Sequence, residues 1–364
     1  MYRSMIARVI TYLVLIVLPC QATLAAPANK PTPIKAELIK DAKSGFKYGF
    51  EPTPLWVKPT AASSSSTALT NAAMSYPLIE EQVLLDGANQ SIYARTVRQV
   101  NQAAGLSTAA QIGLDFDPSY QTLTLHHLRL IRDNKTIDKF KRESIQILAR
   151  ETNLERRMLD GRVTLSTVVP DLRVGDQLDY AYTVRGANPV FGGKFVSVNT
   201  MGSTYGPVAH FSMRLLAPVG RSIPMKVAPQ DAQTTQSVSN GQQETLVTRR
   251  DIPILEFEPG APPSVWLGQS LQFSEFADWA SIATWARGVF VPTGSMSRID
   301  AIVQELKGKH ATPDEQVLGA LDFVQKQVHY FGTESGVNSH RPVAPDKVLE
   351  QRFGDCKDKS ALLV

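Results

Sequence analysis

The chain has 364 residues, of which 43% are hydrophobic and 20% charged, with a formal net charge of +4. These proportions are those of a globular protein with room for two domains, and they exclude a disordered chain or a multi-span membrane protein. The positive balance is weak, and no Lys/Arg cluster is interleaved with aromatics, so nucleic acid is excluded as an expected partner.

Residues 1–25 read as a secretory signal. Arg3 and Arg8 form its positive end, Val9 to Leu18 its apolar core, and Ala22-Thr23-Leu24-Ala25-Ala26 its small-residue cleavage region. The apolar run is too short to span a bilayer, although without cleavage it would serve as an anchor. Pro19 before Cys20 stands where a lipobox carries a small residue, which argues against a lipoprotein. The expected location is therefore outside the cytoplasm, in the periplasm. Loss of Cys20 with the signal leaves Cys356 as the one thiol, unable to form an internal disulfide or a thiolate zinc site. Such a cysteine is either a small buried hydrophobe or a working nucleophile.

Residues 26–75 form a proline- and serine-rich lead and linker. It includes Pro27, Pro31, Pro33 and the run Ser63-Ser64-Ser65-Ser66, with the cluster Phe50 to Trp56 expected to dock on the domain behind it. Residues 76–255 alternate with period two. Strands are predicted at Thr122–Leu125 and on to Ile131, at Val163–Val169, Leu178–Val184 and Phe211–Leu215. Turns are predicted at Asp133-Asn134, Pro170-Asp171 and Val174-Gly175-Asp176. Glu143 to Arg157 is compatible with a strand and flanking loop or with a short helix. Several short strands at this spacing predict an antiparallel β-sandwich. Pro253, Pro259, Pro262 and Pro263 then mark a boundary.

From about residue 270 the period turns helical. Asp278 caps a helix with Trp279, Ile282, Trp285 and Val289 on one face, read as core. Ser297 opens a second helix bearing Ile299, Ile302, Val303 and Leu306. Thr312-Pro313-Asp314-Glu315 is a capping box for a third, whose expected buried stripe is Val317, Leu321, Val324 and Val328. Pro345 starts a short helix that Gly354 is placed to end. The predicted class is α+β, a β-sandwich followed by a helical segment at 270–364.

The chemistry concentrates in Gly354-Asp355-Cys356-Lys357-Asp358-Lys359. Asp355 can cap the last helix, which puts Cys356 in its first turn. There the helix dipole favours a thiolate, and the neighbouring backbone N–H can hold a developing oxyanion. A helix terminus contributes only about 0.3–1 kcal/mol, so an efficient nucleophile also needs a histidine.

These residues, with the apolar run Ala361-Leu362-Leu363, resemble the nucleophile helix of the bacterial transglutaminase-like superfamily, whose core is papain-like. Tyr330, Gly332, Asn338-Ser339-His340-Arg341-Pro342 and Arg352-Phe353-Gly354 resemble its lead-in. Pro170 to Thr183 resembles the β-rich domain of unknown function that precedes this core in exported bacterial proteins. The resemblance implies that 270–364 is the first part of a transglutaminase-like domain. It also implies a Cys–His–Asp triad in which Cys356 attacks a carboxamide or peptide carbonyl of a protein or peptide substrate. His and Asp would follow the cysteine. All six histidines here (His126, His127, His210, His310, His329 and His340) precede it, so only Cys356 carries over as a catalytic residue, and the chain as it stands is expected to be inactive. His340 is read as a structural residue of the lead-in loop, and Tyr330 as a packed core tyrosine rather than part of an oxyanion region. No cofactor or metal is implied. The competing reading is a non-catalytic cell-envelope binding or scaffold protein with a degenerate transglutaminase-like part.

Overall fold

The alternating middle of the chain builds one large sheet. The structure, a computed structural model, describes residues 36–364 apart from 42–44, 64–70, 150, 152, 257, 259, 263, 264, 266, 292 and 293. The expected signal at 1–25 and Ser64 to Ser66 lie outside the described residues. The sheet's strands are β1 (Glu37–Lys40), β2 (Lys47–Phe50), β3 (Met74–Asp86), β4 (Asn89–Val100), β5 (Thr122–Arg132), β6 (Lys135–Asp138), β7 (Gln177–Arg185), β8 (Val208–Pro218), β9 (Gln233–Ser239) and β10 (Gln242–Ile252). They lie in the order β1-β2-β5-β7-β4-β3-β8-β10-β9, with β6 on β5.

This arrangement overturns the expected antiparallel sandwich. The sheet is mixed, because β2 runs parallel to β5 and β3 parallel to β8. Alternation marks a strand and its buried face but not the direction of its neighbour. The β3 to β8 pairing joins segments separated by everything from Gly87 to Pro207, a crossover that no local pattern announces. The α+β class stands.

Two small three-stranded sheets accompany the large one. Strands Gln111–Phe116, Gln146–Ala149 and Val163–Val168 make the first, and Val196–Thr200, Met225–Val227 and Ser270–Ser274 the second. Each goes with its own core. Phe50, Leu123, Leu125 and Tyr180 of the large sheet pack with Ile112, Phe116 and Leu165. Val83, Leu85, Phe211 and Met213 pack with Leu271 and Phe273. Burial of each such side chain contributes about 1.5–3 kcal/mol, so the β region has two full cores of its own.

Residues alternating with Val83 and Leu85 face the other side of the sheet, and that side carries buried charge. Arg95 forks onto Asp179 at 2.9 and 3.0 Å, and His127 Nε2 reaches the same carboxylate at 3.0 Å. Arg214 donates to Glu244, Gln82 and the Trp56 carbonyl. The segment after β2 lies across this face. Lys58 N–H donates to Gln82 at 3.0 Å, the Thr60 carbonyl accepts from Arg95 at 2.8 Å, and the Thr60 hydroxyl donates to Glu80. Charges that would be costly if buried alone are thus paired and bonded to this crossing backbone.

The helices are α1 (Leu106–Ala110), α2 (Trp279–Val289), α3 (Ser297–Lys309), α4 (Pro313–Gln327), α5 (Pro345–Gln351) and α6 (Cys356–Leu363). Asp278 and Thr312 both form the capping boxes expected of them. Two helical stripes are less buried than their periodicity predicts. Trp279 is 84% exposed and Val317 66% exposed. In α4 only the later part is covered, where Phe323 and Val324 meet Leu349 and Leu362 across a shared groove, and Val317 lies two turns earlier.

Candidate functional site

The chain reaches the cysteine turn through a parallel pairing of His329–Tyr330 with Phe353–Gly354. Phe331 N–H donates to the Gly354 carbonyl at 3.1 Å, and Phe331 meets Phe353 edge-on at 5.7 Å. A second parallel pair joins Gly332–Thr333 to Met158–Leu159 of the β region. Helix α5 does not end at Gly354 as expected. Its C-cap is Arg352, left-handed at φ 59°. Gly354 instead belongs to the short strand and serves a close approach, since a Cβ there would lie 2.7 Å from Cβ of Asp358.

Asp355 caps α6 as the sequence implies. Its carboxylate accepts from Lys357 N–H at 2.9 Å and Asp358 N–H at 3.2 Å. Asp358 returns the bond, accepting from Asp355 N–H at 3.0 Å, and its other oxygen accepts from Val343 N–H at 2.7 Å. Both carboxylates are buried. Burial raises the Asp358 pKa, the two backbone donors oppose that rise, and the charge of Asp355 adds to it. This closed set of bonds fixes the turn from which Cys356, free and exposed, projects.

Asp355 takes two of the first-turn N–H groups of α6. The Cys356 N–H is the first-turn donor it leaves, and so the one that could face a developing oxyanion. The lysines are committed elsewhere. Lys357 pairs with Asp355, and Lys359 Nζ donates to the Val328 carbonyl at 2.7 Å. Tyr330 is 38% exposed rather than packed in a core. Its phenol pKa is shifted upward by burial and further by electrostatic interaction with Cys356 and Asp355.

His340 stands as a packing residue. Its Nδ1 is 2.9 Å from the Ser339 hydroxyl, and its ring meets Phe191 at 5.0 Å and Trp285 at 5.5 Å, both edge-on. Burial lowers its pKa, and the charge of Lys357 lowers it further. His126 and His127 are bonded within the large sheet, to Thr183 and Asp179. His210 is buried on β8, and His310 lies against Gly319. His329 alternates with Tyr330 and so faces away from it. Among the described residues none of the six hydrogen-bonds to the thiol.

Two residues of the β region hold the lead-in loop, and sequence reading missed both. Asp117 accepts from Gly336 N–H at 2.9 Å. Asn188 donates to the Gly336 carbonyl and the Ser339 hydroxyl, each at 3.0 Å. Trp285 Nε1 donates to the Val190 carbonyl at 2.9 Å beside them. The turn signals Asp117-Pro118-Ser119 and Asn188-Pro189 are visible in the sequence, but their distant partners are not. Among the described residues no His, Cys, Asp and Glu cluster has metal-binding geometry, and no helix is long and apolar enough to cross a membrane.

Residues 87–256 match the model of a family described as a domain of unknown function with a solved structure, DUF3857. The match spans β4 to β10 and ends before the cysteine turn. No curated protein matches the chain. Among solved structures, a Parabacteroides distasonis protein provisionally described as a protease is similar at a TM-score of 0.68 and 15% identity. That similarity covers 80% of this chain and 57% of the other, so this chain spans little more than half of its length, and at this identity the likeness is one of fold. A Legionella pneumophila aminopeptidase A in complex with aspartic acid is similar at a TM-score of 0.28 and 10% identity, covering 56% of this chain and 21% of that one.

Proposed function

We propose that the protein is an exported, thiol-dependent acyl-transfer protein of the transglutaminase-like superfamily, acting as a peptidase, amidase or protein cross-linking enzyme. The observation that carries this is the exposed Cys356 at the start of α6, held by the reciprocal Asp355–Asp358 cap. Export rests on the N-terminal pattern from Arg3 to Ala26 and on a single remaining cysteine.

In this reading the sulfur of Cys356 attacks the carbonyl carbon of a carboxamide or peptide. The C–N bond breaks, the amine leaves with a proton delivered by a histidine, and a thioester remains. Water then yields a carboxylic acid, or an amine yields a new amide, and the thiol returns. The Cys356 N–H would carry part of the charge on the carbonyl oxygen. Because no histidine here meets the thiol, the 364-residue chain should acylate without efficient turnover.

Incubation with an activated ester tests this. A single acyl adduct on Cys356, seen by mass and absent from Cys356→Ala, is the expected result. Amide turnover that survives Cys356→Ala would overturn the enzyme reading. The second reading is a cell-envelope scaffold with a degenerate catalytic part, which an inert Cys356 would support.

A further inference from the structure

A second site lies in the β region, away from the thiol. A cleft of about 470 Å³ opens between the Tyr76 and Arg98 ends of β3 and β4 and the outer face of the small sheet that holds Gly113, Thr164 and Ser166, with Tyr205 at its edge. Arg98 is the cation of this cleft, and its guanidinium is fixed but incompletely used. Nη1 donates to the carbonyls of Thr108, Ala109 and Gln111, at 3.3, 3.3 and 2.7 Å, and the group sits 5.2 Å above the Tyr180 ring. Nε is buried without an acceptor. Among the described residues Nη2 makes no hydrogen bond. A rigid guanidinium with a free nitrogen is preorganised for a carboxylate.

The remaining lining has a different character. Tyr205 is 70% exposed and offers a ring face and a hydroxyl. Thr108 and Ser166 add hydroxyls that both donate and accept, the Thr164 hydroxyl, which donates to Asp115, can still accept, and Gly113 leaves space above them. Asp115 lies one rung beyond Gly113, bonded by Thr164 at 2.5 Å. Its carboxylate would repel a second anionic group and can accept from ligand hydroxyls instead.

We propose that this cleft binds a saccharide bearing one carboxylate, with the carboxylate on Arg98, a sugar ring against Tyr205 and hydroxyls along Thr164 and Ser166. An aliphatic acid would leave the aromatic face and the hydroxyl row unused, and a neutral sugar would leave the guanidinium unused. The site is independent of the chemistry at Cys356.

Calorimetric titration of the full chain with a glucuronic acid–N-acetylglucosamine disaccharide tests this. The same disaccharide with its carboxylate reduced to an alcohol should bind about tenfold more weakly or worse, the usual effect of losing one charge-assisted hydrogen bond. Arg98→Gln should erase that difference. Because Arg98 also ties three carbonyls, Gly113→Leu provides a variant that leaves those bonds alone. A Cβ there meets only Thr164 Cγ2, at 3.4 Å, so the longer side chain fills the cleft and should abolish binding while the melting temperature holds. No saturable binding, equal affinity for the reduced disaccharide, or equal binding of a capped tripeptide with a free C-terminal carboxylate would each overturn the proposal.

Discussion

Asp358 does more at the thiol turn than its place in a helix cap suggests. It closes the capping box with Asp355, and through Val343 it also ties the loop before α5 to the helix that carries Cys356. Asp358→Ala would leave the buried Asp355 N–H and the half-buried Val343 N–H without acceptors, at a cost of about 1–3 kcal/mol for the buried one when the gap stays dry. We expect a lower melting temperature, faster deuterium exchange at Val343, and a change in the rate at which iodoacetamide alkylates Cys356. Asp358→Asn keeps one acceptor oxygen and should fall between the two. Unchanged alkylation in the alanine variant would mean that the cap does not position the sulfur. The position of Cys356 and its cap were legible in six residues, because capping is local chemistry. The bond to Val343 spans fifteen residues, and it became visible only once the loop had folded back.

At the level of helices and strands, what was legible tracks how local the determining interaction is. Asp278 and Thr312 cap as expected, whereas the end of α5 was misplaced because Gly354 answers to the side chain of Asp358 rather than to the helix before it. With the first turns of α4 largely exposed, its cap should carry much of their stability. Thr312→Ala should cost about 1 kcal/mol and show as fraying at Asp314 to Gln316 in exchange measurements, with the sheet unaffected. In the large sheet, burial alone would raise the pKa of Asp179, but hydrogen bonds from His127 and Arg95 outweigh it and hold the carboxyl well below the usual range. The unfolded chain takes up that proton at about pH 4, the folded chain only at lower pH. The stabilisation is therefore complete above the unfolded value and is lost as pH falls through it toward the folded one. Thermal unfolding between pH 6 and pH 2.5 should show the loss, and Asp179→Asn should flatten that part of the profile. An identical slope in the variant would assign the acid sensitivity elsewhere.

Across the whole molecule, the β region and the cysteine segment meet through polar contacts between turns that are far apart in sequence. Asp117 and Gly336 are 219 residues apart, and Asn188 and Ser339 are 151 apart. Neither pairing leaves a trace in hydrophobic periodicity, which is why sequence reading separated the two parts and left their junction blank. The contacts are directional and buried enough to matter, since the Gly336 N–H has its acceptor in Asp117 and Gly336 itself is covered. Asp117→Ala would strand that N–H at a cost of about 1–3 kcal/mol, while the packed cores of the β region should keep the sheet folded. Exchange at residues 335–340 should therefore accelerate by about tenfold or more, with β3, β4 and β8 as protected as before, and Asn188→Ala should act in the same direction. If the loop orders the approach to the thiol, acylation of Cys356 by a bulky ester should change in both variants while alkylation by small iodoacetamide does not. Equal effects on the two reagents would place the junction's influence on the helix itself rather than on the path a substrate takes to it.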